Sequence, residues 1–220
     1  MPKLPGLFDS FDNLDTIEID ALIPWLKNPP PPVQLENYLA NKILYPQTLP
    51  LTEADMKIDL AILREALRIN GPKKGARSEL LGDNPFLNVI LRKVIIPQRF
   101  LSYVPDLVSL TWAFVDGLLF QRRKEDWFED LWTLVLAGEL DEIIGSLILP
   151  QFRGQADVMN LSVLGKDYTI KAGSLTVVSC AKDRCEISYK FLKGQVLGKK
   201  ESAVEIYGGR LGLIIDGRTK

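Results

Sequence analysis

Residues 158–191 read VMNLSVLGKDYTIKAGSLTVVSCAKDRCEISYKF, and their apolar side chains recur at every second position. Met159, Leu161 and Val163 alternate with Asn160 and Ser162. Tyr168 and Ile170 alternate with Asp167, Thr169 and Lys171, and Ile187, Tyr189 and Phe191 with Glu186, Ser188 and Lys190. A period of two puts successive side chains on opposite faces of a strand, one face apolar and the other wet. Turn residues at Gly165-Lys166, Gly173, Lys182-Asp183, Gly194, Gly198 and Gly208-Gly209 cut residues 151–220 into about six short strands. The pattern predicts a small antiparallel β-sheet or barrel with one face in the core.

Upstream of Pro150 the period is helical. In TEADMKIDLAILREALRIN, residues 52–70, Met56, Leu60, Leu63 and Leu67 follow helical spacing, Thr52 stands at the N-cap and Gly71-Pro72 closes the helix. GPKKGARSELLGDNP, residues 71–85, reads as a loop with Lys73, Lys74 and Arg77 in its basic half. Residues 86–149 read as three or four further helices broken at Pro97, Pro105, QRRKED and Gly138. One of these carries Trp127, Phe128, Leu131, Trp132, Leu134 and Val135 around most of its circumference, as a central or interface helix does. WLKNPPPPVQL, residues 25–35, sets four prolines in a row and favours an extended polyproline II connector, with Leu22, Ile23, Trp25 and Leu26 as anchors if it docks on a partner.

Charge marks a boundary near residue 150. Residues 1–150 hold 15 basic against 21 acidic side chains, a net of −6, and residues 151–220 hold 12 against 7, a net of +5. The expected fold class is α+β: an extended proline-rich arm over 1–50, an α-helical domain over 51–150 and a small antiparallel β-sheet or barrel domain over 151–220. The start of the chain turns acidic within nine residues, unlike a signal peptide. VPDLVSLTWAFVDGLLF, residues 104–120, is short for a membrane span and carries Asp106 and Asp116, so it reads as a buried helix. A cytoplasmic protein without a membrane span is expected.

The chain has no histidine and two cysteines, Cys180 and Cys185. That removes Ser-His and Cys-His nucleophiles and a four-thiolate zinc site within one chain. Around AKDR the two cysteines would face one another across a hairpin. Reduced, packed thiols are the default, with a disulfide and a metal site shared between subunits as alternatives. Glu125 with Glu129 and Asp126 with Asp130 stand at helical i, i+4 spacing, and Glu139, Asp141 and Glu142 cluster nearby; both groups read as solvated helix faces. The closing stretch AVEIYGGRLGLIIDGRTK, residues 203–220, has Gly208, Gly209 and Gly212 before a strand, whereas a dinucleotide or Walker loop needs a helix behind its glycines. It reads as a final hairpin, with Gly208-Gly209 as turn or bulge, Leu211 to Ile215 as buried strand and Asp216-Gly217-Arg218 as its exit.

KAGSLTVVS at 171–179, VLGKK at 196–200 and VEIYGGRLGLIIDGR at 204–218 together resemble the C-terminal end of the glutamate mutase L proteins, over about 50 of the 220 residues. These are actin-like ATPases held to serve as accessory or reactivating factors for a cobalamin-dependent mutase. Long members finish in a β-rich module with the ending Gly-Leu-Ile-Ile-Asp-Ala/Gly-Arg-Gly-Arg-Pro. Gly212, Leu213, Ile214, Ile215, Asp216, Gly217 and Arg218 match it, and Thr219-Lys220 replace the final Gly-Arg-Pro. Residues 1–150 show no actin-like nucleotide-binding segment, so the resemblance implies a shared β module that serves as an attachment unit.

These readings converge on a non-enzymatic assembly or adaptor protein without catalytic, cofactor or metal residues, which binds a protein partner or copies of itself. The partner-binding candidates are Trp25, Trp127, Phe128, Trp132, Tyr207, Arg210, Asp216 and Arg218. An accessory component of an actin-like ATPase machine is the alternative. A further alternative is weak nucleic-acid binding by the basic β domain through Lys190, Lys193, Lys199, Lys200 and Arg210, with Tyr189 or Tyr207 as stacking platforms.

Overall fold

The computed structural model describes residues 7, 8, 11, 13–70, 93–119, 130–180 and 183–218. The chain divides into two compact units, one of residues 1–77 and 99–124, the other of residues 78–98 and 125–220. The expected loop at 71–85, with Lys73, Lys74 and Arg77, lies outside the described residues.

The first unit is helical. Its longest helix, α3 (Glu53–Asn70), follows from the sequence: Thr52 Oγ1 accepts from the Asp55 N–H at 3.1 Å, and Asp55 Oδ2 accepts in return from the Thr52 N–H at 3.0 Å. This reciprocal cap satisfies two of the backbone donors a helix start leaves unpaired. Ile58, Ala61, Ile62, Leu63 and Ala66 of α3 are buried, as are Leu110, Ala113 and Phe114 of α4 (Leu107–Leu118). α4 starts on Asp106, whose carboxylate accepts from the Val108 and Ser109 N–H groups. A Cβ on Gly117 would stand 2.7 Å from the Arg64 carbonyl oxygen, so glycine lets α4 meet α3 closely. Asp116 lies inside this contact and accepts from Arg64 Nε at 3.0 Å. Among the described residues no helix is long and apolar enough to cross a membrane.

The proline-rich segment differs from the expected arm. Pro32 is the first residue of α2 (Pro32–Leu44), where its fixed φ suits a helix and its missing N–H goes unneeded. Before it lie a 3₁₀ turn at Leu14–Thr16, the short α1 (Ile19–Leu22) and a second 3₁₀ turn at Ile23–Trp25. Leu22 and Leu35 on either side are fully buried in the helical core, while Pro29–Pro31 between them lie outside any helix, Pro31 with φ of −51° and ψ of 143°, so the extended connector is confined to those three prolines.

The second unit holds two open sheets, not a closed barrel. One is mixed, ordered β1-β2-β3-β9-β6, from β1 (Lys93–Pro97), β2 (Leu131–Ala137), β3 (Glu142–Ile148), β6 (Leu175–Val178) and β9 (Gly212–Asp216). The other, β5-β4-β7-β8, is wholly antiparallel and contains β4 (Val158–Val163), β5 (Lys166–Lys171), β7 (Arg184–Phe191) and β8 (Glu201–Tyr207). Met159, Leu161, Ile187, Tyr189 and Phe191 share one core cluster with Ile148, Leu213 and Ile215.

Three expectations are corrected here. The apolar stretch around Trp132 forms strands β2 and β3, not a helix; Leu134, Leu147 and Ile148 are buried, and a strand covered on both faces loses the alternation that distinguishes it from a buried helix. The β unit therefore recruits β1, β2 and β3 from before residue 150, and β1–β2 and β3–β9 are parallel pairs. Finally, β8 and β9 form no hairpin. β8 pairs with β7, while β9 runs between β3 and β6, so Gly208–Leu211 carry the chain from one sheet to the other.

That passage explains the glycine spacing. Gly209 and Gly212 have φ of 131° and 67°, and a Cβ on Gly212 would stand 2.5 Å from the Val178 carbonyl oxygen. Only glycine fits a left-handed backbone pressed against a neighbouring strand. Cys180 and Cys185 form a disulfide and are both 1 % exposed. Cys180 follows β6 of one sheet and Cys185 belongs to β7 of the other, so the bond joins the two sheets. The expected reduced pair across a hairpin is not what forms.

Candidate functional site

Lys42 near the end of α2 is 3 % exposed, and Asp59 on α3 is 1 % exposed. Lys42 Nζ donates to Asp59 Oδ2 and to the Thr48 carbonyl oxygen, each at 2.8 Å; Tyr38 OH donates to Asp59 Oδ1 at 2.9 Å. The ammonium also lies 5.4 Å from the Tyr38 ring centroid and 5.8 Å from that of Phe8. Buried charges persist only when paired and hydrogen-bonded, and this cluster meets that condition on both sides.

Burial pushes the Asp59 carboxyl above its ordinary range, against the opposing pull of Lys42 and Tyr38. Burial, and then the Asp59 charge, push the Tyr38 phenol far up. Tyr38 also lines a cleft of about 540 Å³ with Gln34, Asp55 and Lys57. Its hydroxyl proton is committed to Asp59, so the phenol offers that cleft no base. The cluster thus acts as a clamp between α2, α3 and the connector that joins them.

The last two residues of α2 and that connector together read ILYPQTLPL from Ile43 to Leu51. Thr48 turns back on Tyr45, with both its N–H and its hydroxyl donating to the Tyr45 carbonyl oxygen. Lys42 holds the Thr48 carbonyl, and Asp55 Oδ2 accepts from the Leu51 N–H at 3.3 Å. On this pinned backbone Leu44, Tyr45, Leu49 and Leu51 are exposed by 69, 54, 56 and 92 %. Four large apolar side chains within residues 44–51 thus face water.

The candidates named from sequence scatter through both units. Trp25 Nε1 donates to Glu65 Oε1 at 2.8 Å, and the Arg64 guanidinium lies 5.4 Å from its ring, so the indole is anchored to its own α3. Trp127 and Phe128 lie outside the described residues, as do Glu125, Asp126 and Glu129. Trp132 sits half-buried on β2. Glu139 and Asp141 are exposed in the β2–β3 turn and Glu142 is exposed at the start of β3, so the solvated helix face expected of them is not what forms.

In the β unit, Tyr207 exchanges backbone hydrogen bonds with buried Ser146 Oγ, and its ring lies under Arg184 at 5.4 Å. Arg210 pairs with Glu142 at 3.5 Å. Asp216 is fully buried; its carboxylate accepts from Arg218 Nε and Nη2, each at 2.9 Å, and from the Arg218 N–H at 3.1 Å. Asp216 and Arg218 therefore close the end of β9. Tyr189 is buried too, donating to the Val196 carbonyl at 2.9 Å with its phenol pushed up by burial, so it is no stacking platform.

Sequence reasoning passed over the connector because Tyr45–Leu51, broken at Pro46 and Pro50, carries neither helical nor strand period. The signal available was an apolar run in a segment too short and too proline-broken to be a core element. Among the described residues no group of histidine, cysteine or carboxylate side chains could hold a metal ion. Comparison with protein-family models, curated proteins and solved structures gives no match for the chain.

Proposed function

We propose that the chain is an assembly or adaptor protein that binds a protein partner through the Ile43–Leu51 segment, the end of α2 and the connector after it. The observation that carries this reading is the exposure of Leu44, Tyr45, Leu49 and Leu51 on a backbone pinned by Lys42, Thr48 and Asp55. An apolar surface already held in one conformation loses little entropy on binding, which favours recognition over adventitious stickiness. Nucleic-acid binding has less support, since Tyr189 is buried and Lys190 pairs with Glu201 at 2.9 Å.

The test compares immobilised wild-type chain with a Leu44→Asp/Leu51→Asp double variant, both positions being exposed enough to accept a carboxylate without unfolding. A protein retained in stoichiometric amount by wild type and lost by the variant, with thermal melting unchanged, supports the proposal. Equal retention by both chains refutes it.

A further inference from the structure

At one end of the β unit the acidic groups are drawn inside and the basic ones are left in water. Asp157 is buried, and its carboxylate accepts from the Arg153 and Lys193 N–H groups at 2.9 Å each; its carbonyl oxygen accepts from the Ala172 N–H at 3.3 Å, next to Lys171. Asp130, also buried, accepts from the Leu197 N–H at 2.7 Å and from the Gln151 side chain, and the Phe191 N–H donates to the Lys200 carbonyl oxygen. Residues 151–157, 171–174 and 192–200 are thereby pinned side by side. Arg153, Lys171, Lys193, Lys199 and Lys200 stand exposed on them, and none forms an ion pair among the described residues. Glu201 is taken by Lys190, and buried Asp216 by Arg218. Amid these cations Leu192 is 56 % exposed; its N–H donates to the carbonyl oxygen of Val158, which lies opposite Lys171 in register.

We propose that this end of the β unit docks on the surface of an anionic phospholipid bilayer, with the five cations against the headgroups and Leu192 entering the interface. The make-up of the patch selects this occupant. Four of its five cations are lysines, a residue in which protein–protein interfaces are depleted. A nucleic-acid strand asks for exposed rings on which its bases stack, and the one aromatic side chain in these loops, Phe152, is half-buried and turned edge-on to Phe191 at 5.6 Å. A bilayer asks for no such ring. Its negative leaflet attracts lysines as point charges, each worth about fivefold in affinity, and its interface takes up a leucine that water does not. Because the loops are pinned on Asp157 and Asp130, the charges are in place before contact and little backbone has to be ordered.

The experiment is co-sedimentation of the full chain with vesicles of a zwitterionic phospholipid, alone or with about 30 % of an anionic phospholipid, from about 50 mM to about 300 mM salt. Wild type should bind the anionic vesicles only, and less as salt rises. Lys171→Gln/Lys193→Gln should weaken that binding by about twentyfold or more with an unchanged melting temperature, whereas Lys171→Arg/Lys193→Arg should retain it. Leu192→Ser, which alters no charge, should weaken it by at least about threefold. Lys199→Gln/Lys200→Gln carries the same test if the first pair fails to fold. A wild type that leaves anionic vesicles in solution at the lowest salt overturns the proposal, as does binding indifferent to both glutamine pairs. Tighter binding to a single-stranded oligonucleotide than to the vesicles, unchanged in Leu192→Ser, overturns it in favour of nucleic acid. Vesicle binding lost instead in Leu44→Asp/Leu51→Asp overturns it too, by assigning the contact to the connector.

Discussion

Replacing Lys42 by methionine removes a charge that is 3 % exposed and leaves the Asp59 carboxylate, 1 % exposed, with Tyr38 as its remaining side-chain donor. Breaking one side of a buried ion pair costs about 3–5 kcal/mol, because the orphaned charge stays desolvated. At about 2–4 °C per kcal/mol for a chain of this size, the melting temperature should fall by about 6–20 °C at neutral pH. The sign of the pH dependence follows from Asp59. Its carboxyl is raised in the folded state, first by burial, so the folded chain binds more protons than the unfolded chain between the unfolded value near 3.9 and the higher folded value. The Asp59 contribution to stability is therefore retained at low pH and lost as pH rises through the folded value. Lys42→Met removes the largest influence that lowers that value, so its deficit should be widest at neutral pH and shrink on acidification. The assay is urea unfolding followed by circular dichroism at about pH 7 and about pH 4.5, with Lys42→Met/Asp59→Leu alongside. Removing both charges should recover most of the loss, since an apolar pair of similar size replaces a buried ion pair at little cost. A Lys42→Met loss below about 1 kcal/mol, or a deficit that grows on acidification, would show that the pair is not the clamp described.

Two further outcomes concern the β unit. Gly212→Ala should destabilise the chain by at least about 2 kcal/mol in urea unfolding, because a Cβ there meets the Val178 carbonyl oxygen at 2.5 Å on a backbone with φ of 67°; a near-neutral alanine would refute the crossing geometry. Burial raises the buried Asp157 carboxyl, but the Arg153, Lys193, Val158 and Gly194 N–H groups outweigh it and hold its pKa below the ordinary range. Its contribution is thus present above the unfolded value and lost as pH falls through the folded one. Asp157→Asn should cost about 1–3 kcal/mol at neutral pH and flatten the acid limb of the stability profile; an acid limb identical to wild type would remove Asp157 from that role.

Much of the architecture was legible because one face of an element met water. Strands β4, β5 and β7 advertise themselves through strict alternation, Thr52 marks the start of α3, and Asp106 and Asp116 correctly kept α4 from reading as a membrane span. The misreadings share a cause. β2 and β3 are buried on both faces at their centres, so LWTLVLA and EIIGSLI carry no alternation, and the helix drawn through them followed from apolar content alone. The four prolines looked like an extended arm because nothing local distinguishes a polyproline run from one whose last member opens a helix. What told them apart was the burial of Leu35 and Leu39 against the helical unit.

The candidate surfaces divide the same way. That Ile43–Leu51 is apolar can be read from the chain; that it is held facing water depends on Lys42 reaching Thr48 and Asp59, contacts spanning six and seventeen residues. That residues 151–200 are rich in lysine follows from composition, but that Arg153, Lys171 and Lys193 share one end of the β unit follows from Asp157 bonding to the backbone at or beside each. Local periodicity determines which segments become helices and strands wherever water touches one side. Partners, sheet edges and the fate of Cys180 and Cys185 depend on which segments meet, and only the packed chain brings those residues within a few ångströms of one another.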